Sequence, residues 1–411
     1  MLSTRYVPHG FKFSYIVPIP KPKDYYSKPL KCDDFRGIAI SPILSKVFEY
    51  CLLDKFNHFL KTSDKPFGFK KGLGCNHAIY SAHTIVGSFV RNGSTVNLCA
   101  IDLSKAFYKV NLHTLFIKLM KRNVPVQLLG LLENMLFDCY IALSNGRTSI
   151  QISSQLCLVY VRAQFQHHFC SLSSLMNSNT CNLECNRFFV VYADDILLIS
   201  PSVVNLENLI HLCERELNWL DMAINYKKSC CLRIGPRCDV SCANITSLNG
   251  HVLPWTNVIR YLGTFIVQSR AFKCSIDEAK RSFYRAANAI FGKIGRLASE
   301  KVTLYMIHLL KTKCIPVLLY GLEVLQLNKS QISSTDFVIN RFFMKLFNTN
   351  NIEIVKCCQQ EFCFSLPSIT LARPTDFFKA KLGSVRIFLS KGSSCVCNFV
   401  TLPAIDVFIL S

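Results

Sequence analysis

The sequence predicts a mixed α/β fold of the α+β kind, an antiparallel sheet plus helices, built as two or three packed subdomains. Three observations carry that prediction. The chain has 411 residues, half of them apolar, which is more than one compact core usually serves. Two apolar β-type runs, Phe188–Ala193 and Ile196–Ile199, are separated only by Asp194 and Asp195, the pattern of a tight hairpin with acids at its tip. From Ala271 to about Asn350 the pattern turns helical, with Phe283, Ala286, Ala287, Ile290, Phe291 and Ile294 recurring at i, i+3, i+4 and i+7.

The remaining elements follow in chain order. Tyr15-Ile-Val-Pro-Ile-Pro-Lys-Pro-Lys23 starts like a strand, is broken by prolines and ends in lysines, so it reads as an edge strand running into a basic loop. After Asp33-Asp-Phe-Arg-Gly-Ile-Ala-Ile-Ser-Pro42, the spacing of Ile43, Leu44, Val47, Phe48, Cys51 and Leu52 predicts an amphipathic helix. Phe67–Cys75 is glycine-punctuated and basic, a loop leading into a helix across His77–Phe89. Thr95–Ile101 is a short apolar strand that ends at Asp102, with a helix-compatible segment from Ser104 to Phe107 directly after it. The helical region after residue 270 carries Lys280, Arg281, Arg285, Lys293 and Arg296 on its other face, a pattern that a merely solvated face shares. Beyond Pro374 no function is assigned.

Charge and cysteine usage narrow the function classes. Lys and Arg outnumber Asp and Glu by 47 to 26, a net charge of +21, more than solubility needs and suited to a polyanionic partner such as nucleic acid. The 21 cysteines are scattered and give no CxxC pair followed by a second at ligand spacing, so neither a disulfide framework nor a structural zinc site is expected. Mean hydropathy is +0.26, yet no uninterrupted apolar run approaches the roughly 20 residues of a membrane span. The first 30 residues lack the continuous apolar core of a secretory signal. The expectation is an intracellular protein, in the nucleus or cytoplasm, with no membrane partner.

A strand ending in Asp102 and a hairpin presenting Asp194 and Asp195 together form a set of carboxylates suited to two Mg²⁺ ions, with Mn²⁺ as the alternative. Two such ions about 3.5–4 Å apart activate an attacking hydroxyl and stabilise a leaving oxygen in an in-line displacement, which is polymerase chemistry. An Asp-Asp pair by itself is as readily a plain turn; here it has a third carboxylate and an ordered context.

That context carries a resemblance. Tyr192-Ala-Asp-Asp195 in apolar flanks resembles the signature box of reverse transcriptases, and Ala100-Ile-Asp-Leu-Ser-Lys-Ala-Phe107 resembles their first aspartate box, in the family's order. The segments PIPKPK (18–23), DFRGIAISP (34–42) and FGFKKG (67–72) are similar to finger motifs of the non-LTR, LINE-like retrotransposon branch, as are Asn225-Tyr-Lys-Lys-Ser229 and Arg260-Tyr-Leu-Gly263 downstream. The resemblance spans roughly residues 10–350.

It implies a right-hand polymerase with fingers over 1–95, a palm over 96–265, a helical thumb over 266–350 and a tail, 351–411, of unassigned role. It implies an RNA-directed DNA polymerase that adds dNTPs to a DNA primer on an RNA template. Asp102 and Asp194 would be the principal metal ligands, with Asp195 in support. Lys21 and Arg36 would contact the incoming triphosphate, the Arg as a planar fork and the Lys as a mobile charge. Phe107 would sit under the sugar and exclude a 2′-hydroxyl, Lys228 would stand near the pyrophosphate leaving group, and Leu262-Gly263 would grip the primer end. The basic helical face after residue 270 would follow the duplex backbone, with contacts that weaken with salt.

Three departures stand against this. Between the aspartate boxes the family carries an approximate GVRQG motif followed by Pro-x-Leu-Phe; in its place stands Val159-Tyr-Val-Arg-Ala-Gln-Phe-Gln-His-His-Phe-Cys170. Codons for that peptide, read one nucleotide earlier, can spell Gly-Val-Arg-Gln-Gly, provided that Arg162 uses AGG and that Leu158 and Val159 end in G. The expectation is therefore that 159–180 is out of frame or disordered and that the frame is regained before Arg187, a reading that the nucleotide sequence of the locus tests. Tyr108 stands where the LINE-like pattern has an aspartate. The chain also begins at the finger motifs, without an upstream endonuclease or a downstream Cys/His knuckle, as a fragment would. Damage at 159–170 favours the alternative of an inactive remnant that at most binds nucleic acid.

Overall fold

The structure, a computed structural model, describes residues 1–20, 34–56, 59, 74–104, 111–121, 123–137, 140–144, 149–152, 187–192, 195–219, 221–294, 300–325 and 327–371. The FGFKKG loop, the 159–170 segment and the chain beyond residue 371 lie outside them. The first elements are β1 (Phe13–Pro20), β2 (Phe35–Ile40), α1 (Ile43–Lys55), α2 (Cys75–Arg91), β3 (Val96–Ile101), β4 (Leu103–Ser104), α3 (Leu112–Lys121) and α4 (Val126–Phe137). Then come β5 (Tyr140–Ser144), β6 (Ser149–Ile152), β7 (Phe188–Tyr192), β8 (Asp195–Ser200), α5 (Val203–Trp219), β9 (Ala223–Ile224) and β10 (Cys230–Ile234). The last group is β11 (Ile245–Thr246), β12 (Val252–Leu253), β13 (Val258–Tyr261), β14 (Thr264–Val267), β15 (Lys273–Cys274), α6 (Asp277–Ile294), α7 (Glu300–Leu309), α8 (Ile315–Leu319), α9 (Lys329–Phe347) and α10 (Ile352–Glu361). The expected mixture of helix and largely antiparallel sheet is present. Two compact units emerge: Met1–Phe69 with Leu103–Cys181 and Leu212–Ile224, and Lys70–Asp102 with Asn182–His211 and Asn225–Ser411.

The first unit holds a four-stranded sheet in the order β2-β1-β5-β6. The proline-bearing strand β1 is interior rather than an edge, pairing antiparallel with β2 over Tyr15–Pro20 and parallel with β5 over Phe13–Ile16. The prolines explain where the second pairing stops: Pro18 and Pro20 have no N–H to give, and among the described residues the strand is bonded on one side only beyond Ile16. Its core gathers Leu112, Leu115, Phe116 and Leu119 of α3 with Leu128, Leu131 and Leu132 of α4, at helical spacing, together with Val7 and Leu52. Helix α1 forms as predicted, but its apolar positions are only partly buried: Leu52 is enclosed while Ile43, Leu44 and Val47 are exposed among the described residues. Directly after Asp102, Leu103–Ser104 form the short strand β4, paired with β9; the rest of the helix-compatible segment, 105–107, lies outside the described residues.

The second unit is built on a sheet in the order β10-β3-β8-β7, antiparallel throughout. Val96, Leu98 and Cys99 of β3 and Ile196–Ile199 of β8 are fully enclosed, as a continuous apolar run in an interior strand requires. Asn97 is the polar exception, and its amide donates to the Ser200 and Pro201 carbonyls at 3.3 and 3.1 Å. Helix α2 lays Ala78, Ile79, Ala82, Ile85 and Val86 into the core, and the Phe89 ring meets Phe188 of β7 edge-on at 5.6 Å.

The region expected to be helical from Ala271 opens with β15 and then runs through α6 to α9. Phe283, Ala287 and Phe291 of α6 are buried, and Phe283 meets Phe342 of α9 near-perpendicular at 6.3 Å. Between α7 and α8 lies a π-helical turn, Leu310–Cys314. Pro316, in the first turn of α8, supplies the reason: with no N–H to give at that point, the i→i−4 ladder cannot run through unbroken. Among the described residues one helical stretch, Val302–Leu319, is by length and composition apolar enough to cross a membrane, which no uninterrupted apolar run in the sequence suggests.

Candidate active site

Asp102 follows the last residue of β3, and a turn over 123 residues downstream holds it. The Asn225 peptide N–H donates to the Asp102 carbonyl at 2.8 Å and the Asn225 side-chain amide donates to Asp102 Oδ2 at 3.1 Å. Asp102 N–H donates to Ser229 Oγ at 3.0 Å, and Lys228 Nζ stands 3.6 Å from Asp102 Oδ2. The turn closes on itself, with Lys228 and Ser229 N–H both donating to the Asn225 carbonyl at 3.0 and 2.9 Å. Three residues of the Asn225–Ser229 motif thus grip one aspartate. The ion pair is solvent-exposed, 70% on Lys228 and 40% on Asp102, so it contributes at most about 1 kcal/mol to stability; its consequence is orientation.

The β3–β8 register ends at Ile101 opposite Ile196, and one step further Asp102 and Asp195 stand on neighbouring strands. Tyr192 pairs with Asp195, and Asp195 is the first residue of β8. Like charges at facing positions of adjacent strands oppose each other, and a hard divalent cation relieves that repulsion. The donor types and placement of Asp102 and Asp195 therefore fit Mg²⁺, although the described residues contain no cluster of three His, Cys, Asp or Glu side chains.

Behind the hairpin lies a layer of tyrosines. Tyr261 is enclosed and donates to the Val190 carbonyl of β7 at 3.2 Å; burial, then the Asp195 carboxylate, hold its hydroxyl well above the usual tyrosine range. A hydrogen bond to Cys75, first among its causes, pushes the Tyr192 hydroxyl up to about 12. Tyr320 is raised by burial, by its own hydrogen bond to Cys75 and by nearby charges that include Asp195. Tyr261 pairs with Thr264 across the two-residue turn Leu262-Gly263, whose φ values of 46° and 79° are both positive, as a hairpin turn matched to strand twist needs. Glycine adopts such a φ freely; Leu262 does so at a cost of about 1–2 kcal/mol.

Of the residues singled out in the sequence, Asp102 and Lys228 are brought together and Asp195 stands on the adjoining strand. Arg36 lies on β2 opposite Ile19, in the other unit, and its side chain is outside the described ones; Lys21, Phe107 and Asp194 are outside altogether. Sequence reasoning named the Asn225–Ser229 string, Tyr192 in the signature box and Cys75 at the end of the glycine-punctuated loop, but gave no task to Asn225, Ser229, Tyr192 or Cys75, and it missed Tyr320. Their partners lie far away in sequence, so the only local signal was that Asn225 and Ser229 end one motif at i and i+4.

The sequence pattern of the family described as reverse transcriptase (RNA-dependent DNA polymerase) matches residues 19–266. No curated protein matches. Among solved structures, the chain is similar to an apo telomerase from Candida tropicalis truncated from its C-terminal domain, at 11% identity and a TM-score of 0.37, covering 66% of this chain and 56% of that one. It is also similar to telomerase from Candida albicans in complex with a TWJ fragment of telomeric RNA, at 11% identity and a TM-score of 0.37, covering 87% and 63%. A further likeness is the apo telomerase of Candida tropicalis, at 11% identity and a TM-score of 0.39, covering 89% and 63%. The chain thus spans less than two thirds of these telomerase chains. With its family pattern running over more than half of its length, the protein belongs to the reverse transcriptase (RNA-dependent DNA polymerase) family.

Proposed function

We propose that this chain is a template-directed DNA polymerase of the non-LTR, LINE-like branch that copies RNA from a DNA primer end, working inside the cell. The observation that supports it most is the grip of the Asn225–Ser229 turn on Asp102, one register step from the strand that begins with Asp195. Asp102, Asp194 and Asp195 would hold two Mg²⁺ ions, or Mn²⁺. When bound, these ions would supply Lewis acidity at the primer 3′-hydroxyl and at the leaving oxygen. Asp102 is oriented for that task by Asn225. Lys228, whose Nζ stands 3.6 Å from the same carboxylate, would neutralise and protonate a departing pyrophosphate. Lys21 and Arg36 would bind the triphosphate, and Phe107 would select the deoxy sugar. Residues 1–95, 96–265 and 266–350 would serve as fingers, palm and thumb.

A second reading, an inactive remnant that binds nucleic acid, is favoured by one observation: Val159–Cys170 carries no Gly-Val-Arg-Gln-Gly. Primer extension with dNTPs and Mg²⁺ on an RNA template separates the two. The polymerase reading expects extension that Asp102→Asn or Asp194→Asn lowers by at least about 10²-fold, the loss of a few kcal/mol of charge stabilisation. Absence of extension by the wild-type chain establishes the remnant; extension that survives either substitution belongs to a contaminant.

A further inference from the structure

The segment Tyr320–Glu323, after α8, is docked on three parts of the site at once. At Gly263 a Cβ would stand 2.9 Å from Tyr320 Cε1, and at Gly321 a Cβ would stand 2.5 Å from Thr264 Cγ2. The two glycines, with φ of 79° and 73°, are therefore what allow the Leu262-Gly263 turn and the Tyr320–Gly321 backbone to approach so closely. The Asn76 side-chain amide donates to Glu323 Oε2 at 3.3 Å, tying the same segment to the first turn of α2.

We infer that Tyr320 is a positioning residue for primer extension: its ring braces the Leu262-Gly263 turn while the Asn76–Glu323 bond ties its segment to α2, fixing the turn that meets the primer end. The inference rests on the polymerase reading above. The ring and the tie have separable tasks. The ring limits how far the turn can move toward Tyr320, and the Asn76–Glu323 bond limits how far the segment can move from α2. An error of about 1 Å in the reacting geometry costs up to about 10²-fold in rate, so a brace outside the reacting atoms still has a kinetic signature.

Single-turnover extension of a pre-bound DNA primer on an RNA template, with saturating dNTPs and Mg²⁺, provides the test, because unfolding lowers the amplitude of the burst and misplacement lowers its rate constant. Tyr320→Ala is expected to lower the rate constant about tenfold or more. Tyr320→Phe, which keeps the ring on Gly263, is expected to stay within about threefold of wild type, and Asn76→Ala, which cuts the tie to Glu323, is expected to lower the rate constant about threefold, the size of one net hydrogen bond. A Tyr320→Ala burst that loses amplitude alone, or that is unchanged, overturns the inference. Should Tyr320→Ala fail to fold, wild-type rate constants in both Tyr320→Leu and Asn76→Ala overturn it. A wild-type chain without extension overturns the polymerase reading and this inference together, whereas an active wild type with indifferent Tyr320 variants removes the inference alone.

Discussion

Ser229 is fully enclosed, and its hydroxyl accepts the Asp102 peptide N–H at 3.0 Å, so the polypeptide at the end of β3 is pinned independently of the carboxylate it carries. Removing that oxygen strands an N–H in a partly buried setting. Ser229→Ala is expected to destabilise the fold by about 1–3 kcal/mol, read as a lowered denaturant midpoint at unchanged slope. Asp102 and Lys228 were legible from the sequence because acids at a strand end and lysines in a turn keep their chemical identity wherever they are placed. The service of Ser229 was not, since a serine in a polar string has a local turn role as its ordinary explanation, and its partner stands 127 positions earlier. The same holds for Cys75, which offered no second ligand at metal spacing and takes part in the site through two tyrosines.

Elements with a strong period were legible, and those set by distant pairing were not. The hairpin of β7 and β8, the interior strand β3, and helices α2 and α6 all follow from apolar spacing, whereas β1 gained its second neighbour and β4 its existence from strands far along the chain. The small hairpin of β11 and β12 shows how such a short element is secured. Glu207 of α5 accepts from the Thr246 N–H at 2.9 Å and from Thr246 Oγ1 at 2.8 Å, and these bonds, the peptide one first, hold its carboxyl below the usual range. A depressed folded value means that the unfolded chain takes up this proton first, so the contribution is complete above the ordinary carboxyl value of 4.5 and is lost as pH falls through the folded one. Glu207→Gln is accordingly expected to lower stability at neutral pH and to flatten the decline below pH 4.5, measured by denaturant titration at a series of pH values.

At the scale of the molecule, a net charge of +21 gives a field that the individual ion pairs do not cancel. On α6, Arg281 is paired with Glu278 and Lys280 with Asp277, while Arg285 and Lys293 are exposed, so the helix presents fewer available cations than its composition suggests. A primer–template bound through roughly six or more phosphates loses at least about 10³-fold in affinity between 50 and 200 mM salt. Fluorescence anisotropy across that range checks it, and a flat response excludes backbone-tracking binding. The sheet order β10-β3-β8-β7 has its own bearing on how the protein is made. Strand β3 leaves the ribosome first among the four, yet Asn97 waits 103 residues for Ser200 and Asp102 waits 127 for Ser229. At about 5–20 residues per second, the first interval amounts to roughly 5–20 s of synthesis. For that time the nascent chain carries an apolar strand open on both edges, a natural client for chaperones and, if elongation stalls before β8 emerges, a seed for aggregation.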